Sequence, residues 1–178
     1  MELKETLLEK QTVYEGKIVN LRRDIVRLPD GRESLRELVE HPGGVGVLPL
    51  DDDQNVYMVR QFRYGAGEVV LEIPAGKLEG EDPLDCGKRE LHEEIGLKAQ
   101  RYTDLGKIFP TPAYDSEIIY VYLAEGLEMI EQKLDDGEFL EVEKIPLQKL
   151  LEMALAGELP DAKTQIAVLR TAKLKGLL

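Results

Sequence analysis

Residues 76–97 of the chain read GKLEGEDPLDCGKRELHEEIGL. Pro83 stands at a plausible first helical position, and Asp82 before it is a favoured N-cap residue. Apolar side chains then recur at three- and four-residue spacing until Gly96, a typical residue to end a helix. The pattern predicts an amphipathic helix over residues 83–95.

The polar side of this helix carries a group of carboxylates. On a helix that advances about 100° per residue, Glu90, Glu93 and Glu94 lie beside the apolar face. Arg89 precedes Glu93 by four residues and can pair with it, whereas Glu90 and Glu94 are like charges at the same spacing and repel each other. Two interpretations fit: a solvated acidic face, or a cluster that holds Mg²⁺ or Mn²⁺ through oxygen ligands.

The spacing within residues 76–97 resembles the Nudix box, which is written G-x5-E-x7-R-E-U-x-E-E-x-G-U with U apolar. Its fixed positions are filled by Gly76, Glu81, Arg89, Glu90, Leu91, Glu93, Glu94, Gly96 and Leu97. One departure is that four residues rather than five separate Gly76 from Glu81, while seven still separate Glu81 from Arg89. The shortening falls in the loop before the helix, so the helical carboxylates stay in phase.

This resemblance implies a metal-dependent hydrolase of the Nudix superfamily that cleaves a diphosphate bond. It makes Glu90 and Glu94 the principal metal ligands, with the backbone carbonyl of Ala75 completing the coordination. The implied cofactor is Mg²⁺, with Mn²⁺ as its substitute. Carboxylates on a rigid helix suit that role, because both ions prefer oxygen ligands.

The other box residues have implied roles around those ligands. Glu93 would assist catalysis and Arg89 would orient it, so both belong to the implied catalytic set. Gly76 and Glu81 would support the loop that leads into the helix.

Outside the box the resemblance covers nearly the whole chain and narrows to the bacterial ADP-ribose pyrophosphatases. The matching stretches are EHPG (40–43), VRQFRY (59–64), LEIPAG (71–76), PTPAY (110–114) with Glu117, and GELPDAKT (157–164). A proline downstream of the box marks ADP-ribose as the substrate in that family, and Pro112 occupies its place. Family members often have Gly after this proline, and here Ala113 follows. The resemblance therefore implies hydrolysis of ADP-ribose to AMP and ribose 5-phosphate.

Substrate binding must overcome the charge of the chain, which has 23 basic and 35 acidic residues and a net charge of −12. Arg60 and Arg63 are either exposed charges at a strand end or guanidinium groups that bind phosphate oxygens. The resemblance adds Glu72 and Pro112 to the substrate-binding set. Three aromatic residues are candidates either for core or dimer packing or for stacking on adenine: Tyr14, Phe62 and Tyr64.

The general base is expected in the acidic run at 135–141. Members of the family place a glutamate on a mobile loop after the long strand that follows the box. Glu138 is our prediction because it directly follows Gly137, with Asp136 and Glu141 as the alternatives. A run of this composition is also typical of a solvated turn.

The composition limits the other classes of function. A surface of this negative charge repels nucleic-acid phosphates, so no nucleic-acid partner is expected. The single Cys86, with His41 and His92, gives no set of ligands for structural zinc. No apolar run approaches the roughly 20 residues that cross a bilayer, and the first residues do not resemble a secretory signal. We therefore expect a cytoplasmic protein with no membrane partner.

The order of predicted elements indicates an α+β fold with a mixed sheet and an N-terminal antiparallel β segment, and the resemblance implies an α/β/α sandwich. We expect a hairpin around residues 29–31 and further strands near residues 45–50, 56–59, 69–73, 105–108, 118–124 and 139–144. Strands 45–50 and 56–59, joined by an acidic turn at 51–53, are expected to be antiparallel. Helices are expected at 147–156 and 162–174, the second with Asp161 as N-cap.

We expect one structural unit with two parts. Residues 1–40 would form the N-terminal β segment, a dimerisation arm, and residues 41–178 the Nudix hydrolase domain, giving a homodimer. Two other functions stay open: a Nudix hydrolase that prefers another nucleoside diphosphate derivative, such as a nucleotide sugar or a dinucleotide, and a non-catalytic ADP-ribose-binding regulator.

Overall fold

The computed structural model describes residues 2–178. Two compact units are present: the part of the chain before Gly44 together with Phe109–Ile118, and a second unit formed by Gly44–Ile108 and Ile119–Leu178. The second unit contains the segment from Gly76 to Leu97 and all three helices.

The first unit is built on a three-stranded antiparallel sheet in the order β1-β2-β3. Its strands are β1 (Thr6–Glu15), β2 (Asn20–Arg27) and β3 (Glu33–Glu40). The predicted hairpin is confirmed, because β2 and β3 pair in register around a turn in which Gly31 has φ +89°. Strand β1 falls within the predicted N-terminal β segment, but it was not predicted as a separate strand, and its residues are exposed along its whole length.

The second unit contains two sheets, in the orders β7-β4-β9-β8 and β10-β5-β6. The strands are β4 (Gly44–Pro49), β5 (Asn55–Arg63), β6 (Glu68–Glu72), β7 (Ala75–Lys77), β8 (Leu97–Ile108), β9 (Ile119–Met129) and β10 (Leu140–Pro146). The pair β4–β9 is parallel and every other pair in these two sheets is antiparallel, so the predicted mixed sheet is confirmed.

The strands β4 and β5 follow each other in the sequence but do not form a continuous pair. The two strands share only one antiparallel bridge, between Leu50 and Val56, and each belongs to a different sheet. All six residues of β4 are buried, and a strand buried in this way needs neighbours on both edges. It finds them in β7 and β9, while β5 pairs with β6 and β10.

The helices follow the predicted boundaries. They are α1 (Pro83–Ile95), α2 (Leu147–Ala156) and α3 (Ala162–Leu174). Asp82 caps α1 by accepting a hydrogen bond from the N–H of Leu84, and Gly96 ends the helix in the left-handed conformation with φ +70°. Asp161 caps α3 by accepting from the N–H of Thr164. Local cap chemistry therefore fixes these ends.

Strands of the second unit send alternate side chains to two buried clusters, as expected for a pleated strand. Val59 packs with α1, whereas Met58 packs with residues of α2 and α3. The sheets thus lie between α1 on one side and α2 with α3 on the other, which confirms the α/β/α arrangement. None of the helices in residues 2–178 has the length and apolar character required to span a membrane.

Candidate active site

The strands β6 and β7 and helix α1 bring the predicted metal ligands together. Leu91 and Ile95 anchor α1 in the buried cluster that contains Val45 and Val47 of β4. Because these apolar residues fix the rotation of the helix, its carboxylate-bearing side faces the start of β7. The segment that joins β6 to β7 therefore lies against the carboxylates.

Glu94 is the most buried of the helical carboxylates, with 3% of its surface exposed. Its Oε2 accepts a hydrogen bond from the backbone N–H of Ala75 at 3.0 Å. Burial raises the pKa of Glu94 to about 8, and the charges of Glu90 and Glu138 act in the same direction. The Ala75 N–H and Arg63 oppose the shift without cancelling it.

Glu90 lies next to Gly76. A Cβ atom at residue 76 would collide with the Glu90 carboxyl group unless that side chain moved away, so glycine lets the carboxyl group lie against the backbone. Burial raises the pKa of Glu90 to about 7, against the attraction of Arg89, whose Nη1 lies 2.9 Å from Oε1. Two carboxyl groups with raised pKa values are thus held side by side on one helix.

Arg89 links the box residues that were given supporting roles. Its Nη2 donates to Glu81 at 2.8 Å and its Nη1 donates to Glu93 at 2.7 Å. Glu81 is tied by this contact to the first half of α1, and Glu93 is turned toward Arg89. These are the contacts that the predicted roles require, and the roles themselves stay predictions.

A divalent cation fits the residues present. Within residues 2–178, no three acidic, histidine or cysteine side chains form a complete metal site. Glu90, Glu94 and the Ala75 carbonyl would offer oxygen ligands only, and Mg²⁺ is commonly held by one or two carboxylates while it keeps several waters. Burial raises the pKa of both carboxyl groups, and a bound cation would favour their ionised forms.

Arg63 and Glu72 form a bidentate ion pair across β5 and β6. Arg63 Nε and Nη2 donate to the two Glu72 carboxylate oxygens at 2.6 and 2.9 Å, and Glu72 is 1% exposed. Lys163 of α3 also contacts the Glu72 carboxylate and, at 3.0 Å, Asp161. Arg63, Glu72, Asp161 and Lys163 line a cavity of about 340 Å³.

Arg60 points away from Arg63, because the two lie on opposite faces of β5. Its Nε donates to Glu143 of β10 at 2.6 Å. The structure therefore brings Arg63 and Glu72 together, whereas Arg60 lines a different cavity, the one that Glu138 also lines.

Glu138 lies in the turn before β10 and lines a cavity of about 430 Å³. Exposed aromatic side chains stand at this cavity: Phe62 is 58% exposed and Phe139 is 86% exposed. The volume falls in the range that binds small molecules. Of the aromatic residues considered for adenine stacking, Phe62 lies at this cavity, whereas Tyr64 is almost fully exposed and Tyr14 belongs to the first unit.

Sequence reasoning missed Gln61, which lines the same cavity as Glu138. Its Nε2 is buried and has no hydrogen-bond partner among the described residues. Gln61 follows Val59 on the α1 face of β5, and a buried donor of this kind is costly unless something accepts from it. No sequence motif identifies Gln61, because only the folded structure shows that its side-chain amide is buried without a partner.

Pro112 belongs to the segment Phe109–Ile118 of the first unit. In that unit the segment is tied to β3 by two backbone hydrogen bonds, from the Val39 N–H to the Tyr114 carbonyl and from the Ser116 N–H to the Val39 carbonyl. The predicted substrate contact of Pro112 stays a prediction.

Comparison with known protein families gives a match to the NUDIX domain over residues 40–167. The chain belongs to the Nudix family. Residues 5–39 match the nucleoside diphosphate sugar hydrolase N-terminal domain.

Curated relatives of this Nudix protein match over almost their whole length. The chain is 41% identical to the ADP-ribose pyrophosphatase of Bacillus subtilis over 169 residues, which cover 93% of this chain and 91% of that protein. It is 37% identical to the methanol dehydrogenase activator of Bacillus methanolicus, over 92% of this chain and 90% of that protein.

A solved structure described as an ADP compounds hydrolase has the same fold. It superposes with a TM-score of 0.84 and covers 98% of this Nudix chain and 96% of its own. The sequence identity is 23%, so the likeness shows the fold alone.

Proposed function

We propose that this Nudix hydrolase cleaves the diphosphate bond of ADP-ribose with Mg²⁺ as cofactor, giving AMP and ribose 5-phosphate. The observation that carries the proposal is the pair Glu90 and Glu94, held against Ala75 and Gly76 with raised pKa values. One buried and one partly buried carboxylate on a rigid helix suit a site that binds a divalent cation together with its substrate.

The proposed chemistry is attack of water on one phosphorus, with cleavage of the bridging phosphorus–oxygen bond. A bound divalent cation supplies positive charge for the phosphate oxygens and makes a nearby water more acidic. Glu138 accepts the proton of the attacking water, and Arg63 donates hydrogen bonds to phosphate oxygens. Gln61 donates from its free Nε2 to an oxygen of the substrate at the Glu138 cavity.

ADP-ribose is favoured over other diphosphates by the 41% identity to a relative named ADP-ribose pyrophosphatase. The match of residues 5–39 to a nucleoside diphosphate sugar hydrolase domain keeps nucleotide sugars as the alternative. Initial rates for ADP-ribose, a uridine diphosphate sugar and a dinucleotide, measured at equal Mg²⁺, separate these possibilities. We expect ADP-ribose to give the highest kcat/KM. A higher value for another compound would make that compound the proposed substrate instead.

A non-catalytic regulator is the second candidate function, because one relative is named an activator of another enzyme. The intact set Glu90, Glu93 and Glu94 favours catalysis, since a purely regulatory chain has no need for these carboxylates. The cytoplasmic location expected from the sequence stays a prediction.

Arg63→Ala should raise KM for ADP-ribose by roughly tenfold to a hundredfold, as expected for loss of a charge-assisted contact of about 1.5–3 kcal/mol. The effect should appear for every diphosphate substrate if Arg63 contacts phosphate, and mainly for adenine-containing ones if it packs on the base. Steady-state kinetics with ADP-ribose and a uridine diphosphate sugar decide between these roles.

Arg101→Ala is a suitable control, because Arg101 is an exposed strand arginine paired with Glu125. It should leave KM unchanged. If Arg63→Ala also leaves the kinetics of both substrates unchanged, Arg63 is only a structural partner of Glu72.

A homodimer formed through the N-terminal β segment, residues 1–40, is part of the proposal. Strand β1 is the edge of its sheet, and Leu7, Val13 and Tyr14 on it are each at least half exposed. A long exposed edge with apolar side chains favours pairing with another chain. Sedimentation at micromolar concentration should give a dimer for wild type and a monomer for Val13→Lys.

The matched control for this experiment is Leu155→Lys, which changes an exposed leucine of α2 in the second unit. It should leave the dimer intact. A wild-type monomer with full activity would contradict the proposed assembly.

A further inference from the structure

The segment that joins β6 to β7 carries several groups of the proposed site. Glu72 at its start holds Arg63, and Ala75 at its end donates to Glu94 and carries the carbonyl assigned to the cation. Between them, the Pro74 carbonyl accepts a hydrogen bond from the N–H of Val47 at 2.9 Å. The position of this short segment therefore sets the positions of Arg63 and Ala75 together.

Thr164, in the first turn of α3, holds the centre of this segment. Its Oγ1 accepts a hydrogen bond from the Ile73 N–H at 2.9 Å and donates one to Asp161 Oδ2 at 2.6 Å. The same Asp161 oxygen caps the helix by accepting from the Thr164 N–H. Thr164 is fully buried, so no bulk water competes for its hydroxyl group.

Lys163 adds a second tie between α3 and the same segment. Its Nζ contacts the carboxylates of both Glu72 and Asp161. Asp161 therefore orients one residue that holds the Ile73 backbone and another that holds the Glu72 side chain. The helix α3 contributes no predicted metal ligand or general base, yet its first turn holds Ile73 and Glu72, beside the Ala75 carbonyl in the chain.

We infer that Thr164 is a positioning residue for the reaction. By holding Ile73, it places the Ala75 carbonyl for contact with the cation and Arg63 for contact with the phosphates. The inference rests on the proposed function, since it assigns a use to the geometry of that site. Ile73 is only two residues before Ala75, so a shift of its backbone is passed on to the coordinating carbonyl. Misplacement by about 1 Å can cost about 10²-fold in rate.

Two buried threonines of α3, Thr164 and Thr171, allow the role of one hydroxyl group to be tested against a control. Thr164→Val keeps the shape of the side chain and removes the hydroxyl group, while Thr164→Ser keeps the hydroxyl group. Thr171→Val is the control, because Thr171 is also fully buried on α3 but its Oγ1 has no hydrogen-bond partner among the described residues. The change from threonine to valine is thus made once at a hydroxyl group that forms hydrogen bonds and once at a hydroxyl group for which none is found among the described residues.

Thr164→Val should lower kcat for ADP-ribose by about 10- to 100-fold, measured well below the melting temperature of each variant. It should also weaken Mn²⁺ binding to the substrate-free protein, read by electron paramagnetic resonance of the free ion. Thr164→Ser should restore both values to near wild type, and Thr171→Val should change neither.

Two negative results have different meanings. If wild type hydrolyses no ADP-ribose, the proposed function fails, and the Mn²⁺ titration of the Thr164 variants still tests the inference. If Thr164→Val lowers the melting temperature but keeps the wild-type kcat and Mn²⁺ affinity, Thr164 is purely structural and the inference is overturned.

Discussion

Glu94→Gln should lower the turnover of ADP-ribose by about 10²–10⁴-fold while the fold is retained. The substitution keeps the size of the side chain and its ability to accept from the Ala75 N–H, but it removes the charge that a cation needs. Steady-state kinetics at saturating Mg²⁺, with circular dichroism as the check of folding, measure the effect. Activity within a few-fold of wild type would remove Glu94 from the metal ligands.

Stability without metal gives an independent check of the same residue. The pKa of Glu94 is raised from 4.5 to about 8, so the folded state favours the protonated form. The metal-free protein should therefore lose stability as the pH rises from about 4.5 through about 8. Glu94→Gln cannot ionise, so above pH 8 the metal-free variant should be at least as stable as metal-free wild type. Glu152→Gln, on the exposed side of α2, is the control and should alter neither activity nor this pH profile.

Glu138→Gln should lower kcat by about 10²–10⁴-fold, the usual contribution of a general base. Glu138 lies in the turn before β10, lines the larger cavity, and contributes its charge to the raised pKa values of both Glu90 and Glu94. Because it is not assigned to the metal, its substitution should leave Mn²⁺ affinity close to that of wild type. This separation of kcat from metal binding distinguishes it from Glu94→Gln.

The alternatives for the general base give matched controls. Glu141 lies opposite Arg60 in the β5–β10 ladder, and Leu140 before it packs in the cluster around α1. Alternation along the strand therefore points Glu141 away from α1. Glu141→Gln and Asp136→Asn should keep most of the activity. If either of them loses as much as Glu138→Gln is expected to lose, the general base must be reassigned.

Local chemistry made much of the fold predictable from the sequence. The ends of α1 and α3 depend on Asp82, Gly96 and Asp161, which act on backbone groups a few residues away. Strand β1 lies in the predicted N-terminal β segment, but its bounds could not be predicted, because its residues are all exposed and no buried face marks where it begins and ends. The partners of β4 could not be predicted, because they are the strands β7 and β9, which lie far from it in the sequence.

The candidate site also contains residues that local sequence predicts and residues that only the fold brings together. The carboxylates of α1 could be predicted because helical spacing and a recognised pattern both single them out. The contacts of Glu72 with Lys163 and of Ile73 with Thr164 join residues 91 apart in the sequence, so they emerge only from the fold. Gln61 could not be found from the pattern either, because an unpaired amide is recognised only by its surroundings.

The most direct test of the account is a Mg²⁺ titration of ADP-ribose hydrolysis after the protein has been freed of metal by a chelator. The account predicts no turnover without added metal, recovery as Mg²⁺ is restored, and AMP with ribose 5-phosphate as the only products in equal amounts. Unchanged hydrolysis in excess chelator, or no hydrolysis of ADP-ribose at any Mg²⁺ concentration, would contradict it.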